Sequence, residues 1–191
     1  MTKSRLEAFS DGVLAIIITI MVLELKIPKG VELSDLSALC PILLSYALSF
    51  IYVGIYWNNH HHLFQAVHKI NGSIMWANLH LLFWLSLVPL ATAWLGQNYQ
   101  AQWPVAIYGV TLLLPGVAFT ILTHSLVRSE GKDSAVARAL GKDLKGKASL
   151  VIYILGILGS FIHIGLSLFA YMSVAFMWLI PDPRIEKVLE S

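Results

Sequence analysis

Two clusters of residues in this chain could do chemistry, and both lie beside long apolar runs. Arg5, Glu7, Ser10 and Asp11 sit directly before Gly12 to Leu23, a stretch without a single charge. Trp57, Asn58, Asn59 and His60 to His62 close another apolar run, and Asn78 lies just inside a third. A carboxylate at the edge of hydrocarbon marks a functional site or a structural joint, because it must be compensated inside the protein. Three adjacent histidines suggest a metal centre, but successive helical residues diverge by about 100°, so they cannot face one ion. A helical metal site needs histidines three or four apart, and no pair in this run has that spacing. We therefore expect no metal here, with one imidazole buried as a hydrogen-bond partner and the others at the aqueous edge. An enzyme would require a nucleophile with its base, or a metal cage, at one membrane depth. Neither is visible, so no enzyme, no cofactor and no nucleic-acid partner is expected.

The elements that must position these residues are helices in a bilayer. The chain has 191 residues, 57% of them hydrophobic and 13% charged, about half the charge of an ordinary soluble domain. Its single cysteine, Cys40, rules out a disulfide within the chain. A crossing helix needs about 20 mostly apolar residues. Residues 6–26, 36–62, 74–95 and 104–127 supply four, with Pro41 near the start of the second and Pro115 expected to kink the fourth. The apolar start is expected to be a retained first span, since Asp11 and Glu24 flank it and no small-residue cleavage site follows. Residues 128–147 are strongly charged and are expected to form a cytoplasmic loop with a short amphipathic segment at the membrane surface. Ala148 to Ile180 is too long for one crossing and suits two if the chain turns near His163 to Ser167. The expectation is an all-α integral membrane protein, one six-span domain over residues 1–191.

Basic residues set the orientation. With the N-terminus inside, eleven of the thirteen lysines and arginines fall on the inner side and only Lys26 and Lys29 outside. Both termini are then cytoplasmic and the destination is the plasma membrane. At the inner depth Asp11, Ser10, His60 and Asn78 could meet in one cross-helix cluster, which would satisfy the carboxylate and fix helix packing. The same cluster could serve as a proton relay. On the first helix, Ile16, Thr19, Ile20 and Leu23 fall within about 100° of one another, with Phe9 and Gly12 below them, while Ser10 and Asp11 point elsewhere. Spacing alone leaves that stripe open to lipid contact, core packing or a pore.

These residues resemble a known family. Arg5, Phe9, Ser10 and Asp11 followed by Ile16 to Ile20, then Trp57 and His60 with Leu63 and Phe64, then Asn78 and a Leu-Val-Pro ending at Pro89, resemble the transmembrane protein 175 family of potassium channels. The resemblance is close over the first three spans and rests on hydropathy and length beyond them. It implies a single-repeat, prokaryotic-type chain that assembles as a homotetramer with its first helix lining a central pore. It further implies that Ile16, Thr19, Ile20 and Leu23 face the pore, that aliphatic rings form the constriction, and that Arg5, Phe9, Ser10, Asp11, Trp57, His60 and Asn78 form a structural motif network. The expected activity is a potassium-permeable, modestly selective cation channel. The alternative is a proton-conducting channel or a secondary transporter built on Asp11, His60 and Asn78. Only Pro89 and Pro115 in neighbouring spans favour a transporter. No TVGYG loop and no arginine ladder occur, so neither carbonyl-type selectivity nor a voltage sensor is expected.

Overall fold

The computed structural model describes residues 2–28, 30–141 and 143–179, and its elements are helices. In chain order they are α1 (Lys3–Leu23), α2 (Leu33–Ser37), α3 (Cys40–Gln65), α4 (Gly72–Leu85), α5 (Val88–Gln97), α6 (Gln102–Glu130), α7 (Ala135–Leu140), α8 (Leu144–Gly159) and α9 (Ile164–Leu179). Packing follows a simple plan. α1 lies against α3, α4 and α5; α6 is central, touching α4, α5, α8 and α9; and α8 and α9 form a hairpin. Lys142, Arg184 and Lys187, which entered the orientation argument, lie outside the described residues, as does Lys29.

Four segments are long and apolar enough to cross a membrane: Lys3–Leu23, Cys40–Gln65, Gly72–Gln97 and Gln102–Glu130. The third departs from the continuous helix expected over 74–95. It breaks at Ser86 and Leu87 into α4 and α5, and α5 restarts with Pro89 in its first turn. Proline has no N–H to donate, so it suits the start of a helix and not its interior. Pro115 acts differently, since α6 runs through it as one helix. α2 is a short helix that overlaps the expected start of the second span at residue 36, so that α3 itself begins at Cys40. The start of α2 is fixed by a capping box in which the Glu32 N–H donates to the Asp35 carboxylate at 3.0 Å.

The last two helices turn at Ser160 to His163, a few residues before the expected point. The reason is packing. Gly156 lies against the Tyr171 ring and Gly159 against Ser167, and both pairs are centred near residue 163. The hairpin closes where its small residues let the backbones approach. Of the charged stretch, 128–130 complete α6 and 144–147 open α8, and between them lies the six-residue α7, whose Val136 is buried in the core.

Polar ties run between the helices throughout. Ser49 Oγ lies 2.7 Å from Thr92 Oγ1 and 2.9 Å from the Tyr108 hydroxyl, joining α3 to α5 and α6. The Glu130 carboxylate accepts from the backbone N–H groups of His68 and Lys69 at 2.9 and 3.0 Å, holding the α3–α4 loop to the end of α6. In a bilayer such bonds replace the hydrophobic drive between helices, which lipid does not supply.

Candidate functional site

α1 has two faces of opposite fate. Leu6, Ser10, Leu14, Ile17 and Met21, spaced three and four apart, are buried against α3, α4 and α5. The stripe singled out from the sequence lies on the other side: Phe9, Gly12, Ile16, Thr19, Ile20 and Leu23 are all exposed. Ile16 is 57% exposed and Leu23 is 80% exposed, although both sit on a helix whose opposite face is core. Thr19 Oγ1 donates to the Ile16 carbonyl at 2.9 Å. Its hydrogen is therefore used within the helix, and its lone pairs remain available to an outside donor or cation.

Behind that face lies a chain of hydrogen bonds. His60 Nε2 is 2.8 Å from Asn78 Oδ1, Asn78 Nδ2 donates to Ser10 Oγ at 2.9 Å, and Ser10 Oγ donates to the Leu6 carbonyl at 2.9 Å. The directions are mutually fixed. Because the Asn78 amide nitrogen donates to Ser10, its oxygen must accept, and His60 carries its proton on Nε2. All three side chains are at most 2% exposed, and the His60 ring also stacks on Phe64 at 4.5 Å. α1, α3 and α4 are clamped at one depth.

The expected four-residue cluster forms without Asp11. Ser10 and Asp11 are adjacent on a helix and diverge by about 100°, so when Ser10 turns inward Asp11 stays exposed. Asp11 Oδ1 accepts instead from Trp57 Nε1 at 3.0 Å. Trp57 in turn stacks on His61 with the rings 15° apart. The sequence held the signal for this pairing, since Trp57 and His60 are three apart and share the side of α3 that faces α1. Arg5 and Phe9 are exposed, and Arg5 makes no hydrogen bond or ion pair among the described residues. His61 pairs with Gln65 at 2.9 Å, and His62 Nδ1 is enclosed without a partner among the described residues. Among the described residues no three His, Cys, Asp or Glu side chains converge as a metal site.

Residues 5–89 match the sequence pattern of the family described as endosomal/lysosomal potassium channel TMEM175. A potassium channel of Chryseobacterium sp. (strain P1-3) is 57% identical over 191 residues, the whole of both chains. Human endosomal/lysosomal proton channel TMEM175 is 37% identical over 103 residues, which cover 48% of this chain and 20% of the human one. The crystal structure of a lysosomal potassium-selective channel TMEM175 homolog from Chamaesiphon minutus superposes with a TM-score of 0.81 at 30% identity, over 93% of this chain and 96% of that one. Shared sequence along the whole chain and a shared arrangement of helices lead to one conclusion: the protein belongs to the TMEM175 family.

Proposed function

We propose that the protein is a potassium-permeable, modestly selective cation channel. Four copies would surround a pore lined by α1, with α8 and α9 completing six membrane crossings and both termini in the cytoplasm of a cell whose plasma membrane holds the channel. One observation carries the reading: the face of α1 that bears Phe9, Ile16, Thr19, Ile20 and Leu23 is left uncovered by the chain that buries the opposite face. The relatives named as potassium channels support it.

The physics of such a pore follows from the side chains. Rings of Ile16, Ile20 and Leu23 offer methyl groups and no charge, so a cation must shed water or wait for the ring to widen. Potassium holds its hydration shell less tightly than sodium, and a dehydrating constriction therefore favours potassium modestly. The Thr19 oxygens, with their lone pairs outward, would replace part of the lost water. Arg5, Phe9 and Asp11, on the uncovered side, are proposed to complete the motif network across the interface between copies.

The names of the vertebrate relatives favour a second reading, proton conduction. The hydrogen-bonded clamp is poorly suited to carry it. Its bonds run one way, from His60 through the Asn78 amide to Ser10, and end on the Leu6 backbone carbonyl. An amide neither takes up nor releases a proton at ordinary pH, so proton current would pass along the pore.

Replacing Ile16 with Asn tests the pore reading. An amide can stand in for hydration water, so conductance should rise several-fold while the potassium-to-sodium preference falls, because sodium gains most. Planar-bilayer recordings under bi-ionic conditions decide the matter, with proton gradients as a third arm. Unchanged selectivity in a well-folded Ile16→Asn channel would remove this residue from the pore.

A further inference from the structure

At the end of the bundle that carries the charged loop, a cavity of about 90 Å³ opens between α3, α6 and α8. It is far larger than the ~10–15 Å³ that one water occupies, and approaches the ~150 Å³ that holds a benzene ring. Its walls are rings and methyl groups: Tyr56 meets Phe119 edge-on at 6.1 Å, with Leu150, Tyr153 and Trp178 beyond. The polar groups of the wall are mostly engaged. Asn59 Nδ2 donates to the Ile55 carbonyl, Thr120 Oγ1 to the Gly116 carbonyl, and Ser149 Oγ accepts from Trp178 Nε1. The Tyr56 hydroxyl makes no hydrogen bond among the described residues. That hydroxyl stands over Gly116, where the missing side chain leaves the space open; a Cβ there would lie 3.6 Å from the oxygen.

The charges at the mouth do not select an ion. Asp143 Oδ1 accepts from the Gly146 N–H at 3.1 Å, and Lys145 Nζ lies 5.7 Å from the centre of the Trp178 ring. They are opposite in sign and two residues apart in the chain, and the wall below them is mostly rings and methyls, its Asn59, Thr120 and Ser149 groups already hydrogen-bonded. A charged ligand would lose its hydration there without recompense. An uncharged ring would bury apolar surface, and one hydroxyl on it would pair with Tyr56.

We infer that this cavity is a binding site for a small uncharged ring compound bearing a single hydroxyl, with the ring between Tyr56, Phe119 and Tyr153 and the hydroxyl bonded to Tyr56. The site stands apart from the proposed pore, since none of the described residues that line it belongs to α1.

The probes are 4-fluorophenol and fluorobenzene, followed by ¹⁹F transverse relaxation against the purified chain in lipid nanodiscs, with empty nanodiscs as the partition baseline. The expected result is saturable broadening of 4-fluorophenol at one site per chain, with fluorobenzene weaker. Thr120→Phe, which fills the cavity, should abolish the saturable part. Tyr56→Phe, which removes one oxygen, should weaken 4-fluorophenol about threefold to tenfold, as loss of one neutral hydrogen bond does, and leave fluorobenzene unchanged. Broadening that never saturates, that survives Thr120→Phe in folded protein, or that ignores Tyr56→Phe would overturn the site. Should Thr120→Phe fail to fold, the Tyr56→Phe comparison decides alone.

Discussion

Replacing Asn78 with Leu isolates what the clamp contributes. The substitution keeps the side-chain volume nearly constant and removes two cross-helix bonds, one to His60 and one to Ser10. The losses are unequal. Ser10 keeps its bond to the Leu6 carbonyl, whereas His60, 2% exposed, loses the partner of its Nε2 proton. A stranded buried donor costs about 1–3 kcal/mol, and each interhelical bond in a membrane protein contributes about 0.6 kcal/mol. Together these give a destabilisation of about 2–4 kcal/mol. Unfolding in detergent at rising dodecyl sulfate fraction, followed by tryptophan fluorescence, measures it. Adding His60→Phe to Asn78→Leu removes the stranded donor and keeps a ring to stack on Phe64. The double variant should then be more stable than the two single penalties added together, by about 1–2 kcal/mol. Additive penalties, or Asn78→Leu within about 0.5 kcal/mol of the parent, would refute the clamp.

Other substitutions probe the remaining faces. Leu14→Asn, on the buried side of α1, should cost about 2–4 kcal/mol in the same unfolding assay by stranding an amide in the core; full stability would mean that the two faces of α1 are reversed. Asp11→Ala should leave the stability of the single chain nearly unchanged, since the Trp57 pair is exposed, yet lower the fraction of the proposed tetramer seen by light scattering. A normal tetramer would limit Asp11 to its bond with Trp57. Gly156→Ala places a Cβ 2.5 Å from the Tyr171 ring and should cost about 1–3 kcal/mol by overpacking; an unaffected melting temperature would show that the α8–α9 hairpin can open there.

Much of this organisation is legible in the sequence because bilayers are strict. Length and hydropathy place the long helices, and depth alone brings Ser10, His60 and Asn78 together, since polar groups at one level of hydrocarbon have few partners to choose from. Side-chain direction was harder to assign. Depth placed Asp11 in the same cluster, but a 100° step on the helix sends it to the Trp57 indole. The break at Ser86 and Leu87 escaped because Pro89 reads equally well as a kink inside a helix or as the first turn of a new one. The turn after α8 was misplaced because Tyr171 sits in a slot made by Gly109 and Gly156, a contact between distant segments that no local pattern announces. The cavity beside Tyr56 is invisible for the same reason.

The α8–α9 hairpin has one further consequence. Its first helix, α8, has 16 residues and so rises only about 24 Å, against a hydrocarbon thickness of about 30 Å. Its outer surface is apolar, with Val151, Leu155, Leu158, Phe169 and Phe176 all exposed, whereas α6 behind it is 29 residues long. α8 is therefore shorter than the helix it packs against. If α8 crosses the bilayer as proposed, lipid beside it must thin to meet it, at a cost of a fraction of a kcal/mol for each Å of mismatch. Acyl-chain length would then act on the protein as a mechanical load applied at α8 and passed to α6, against which it packs.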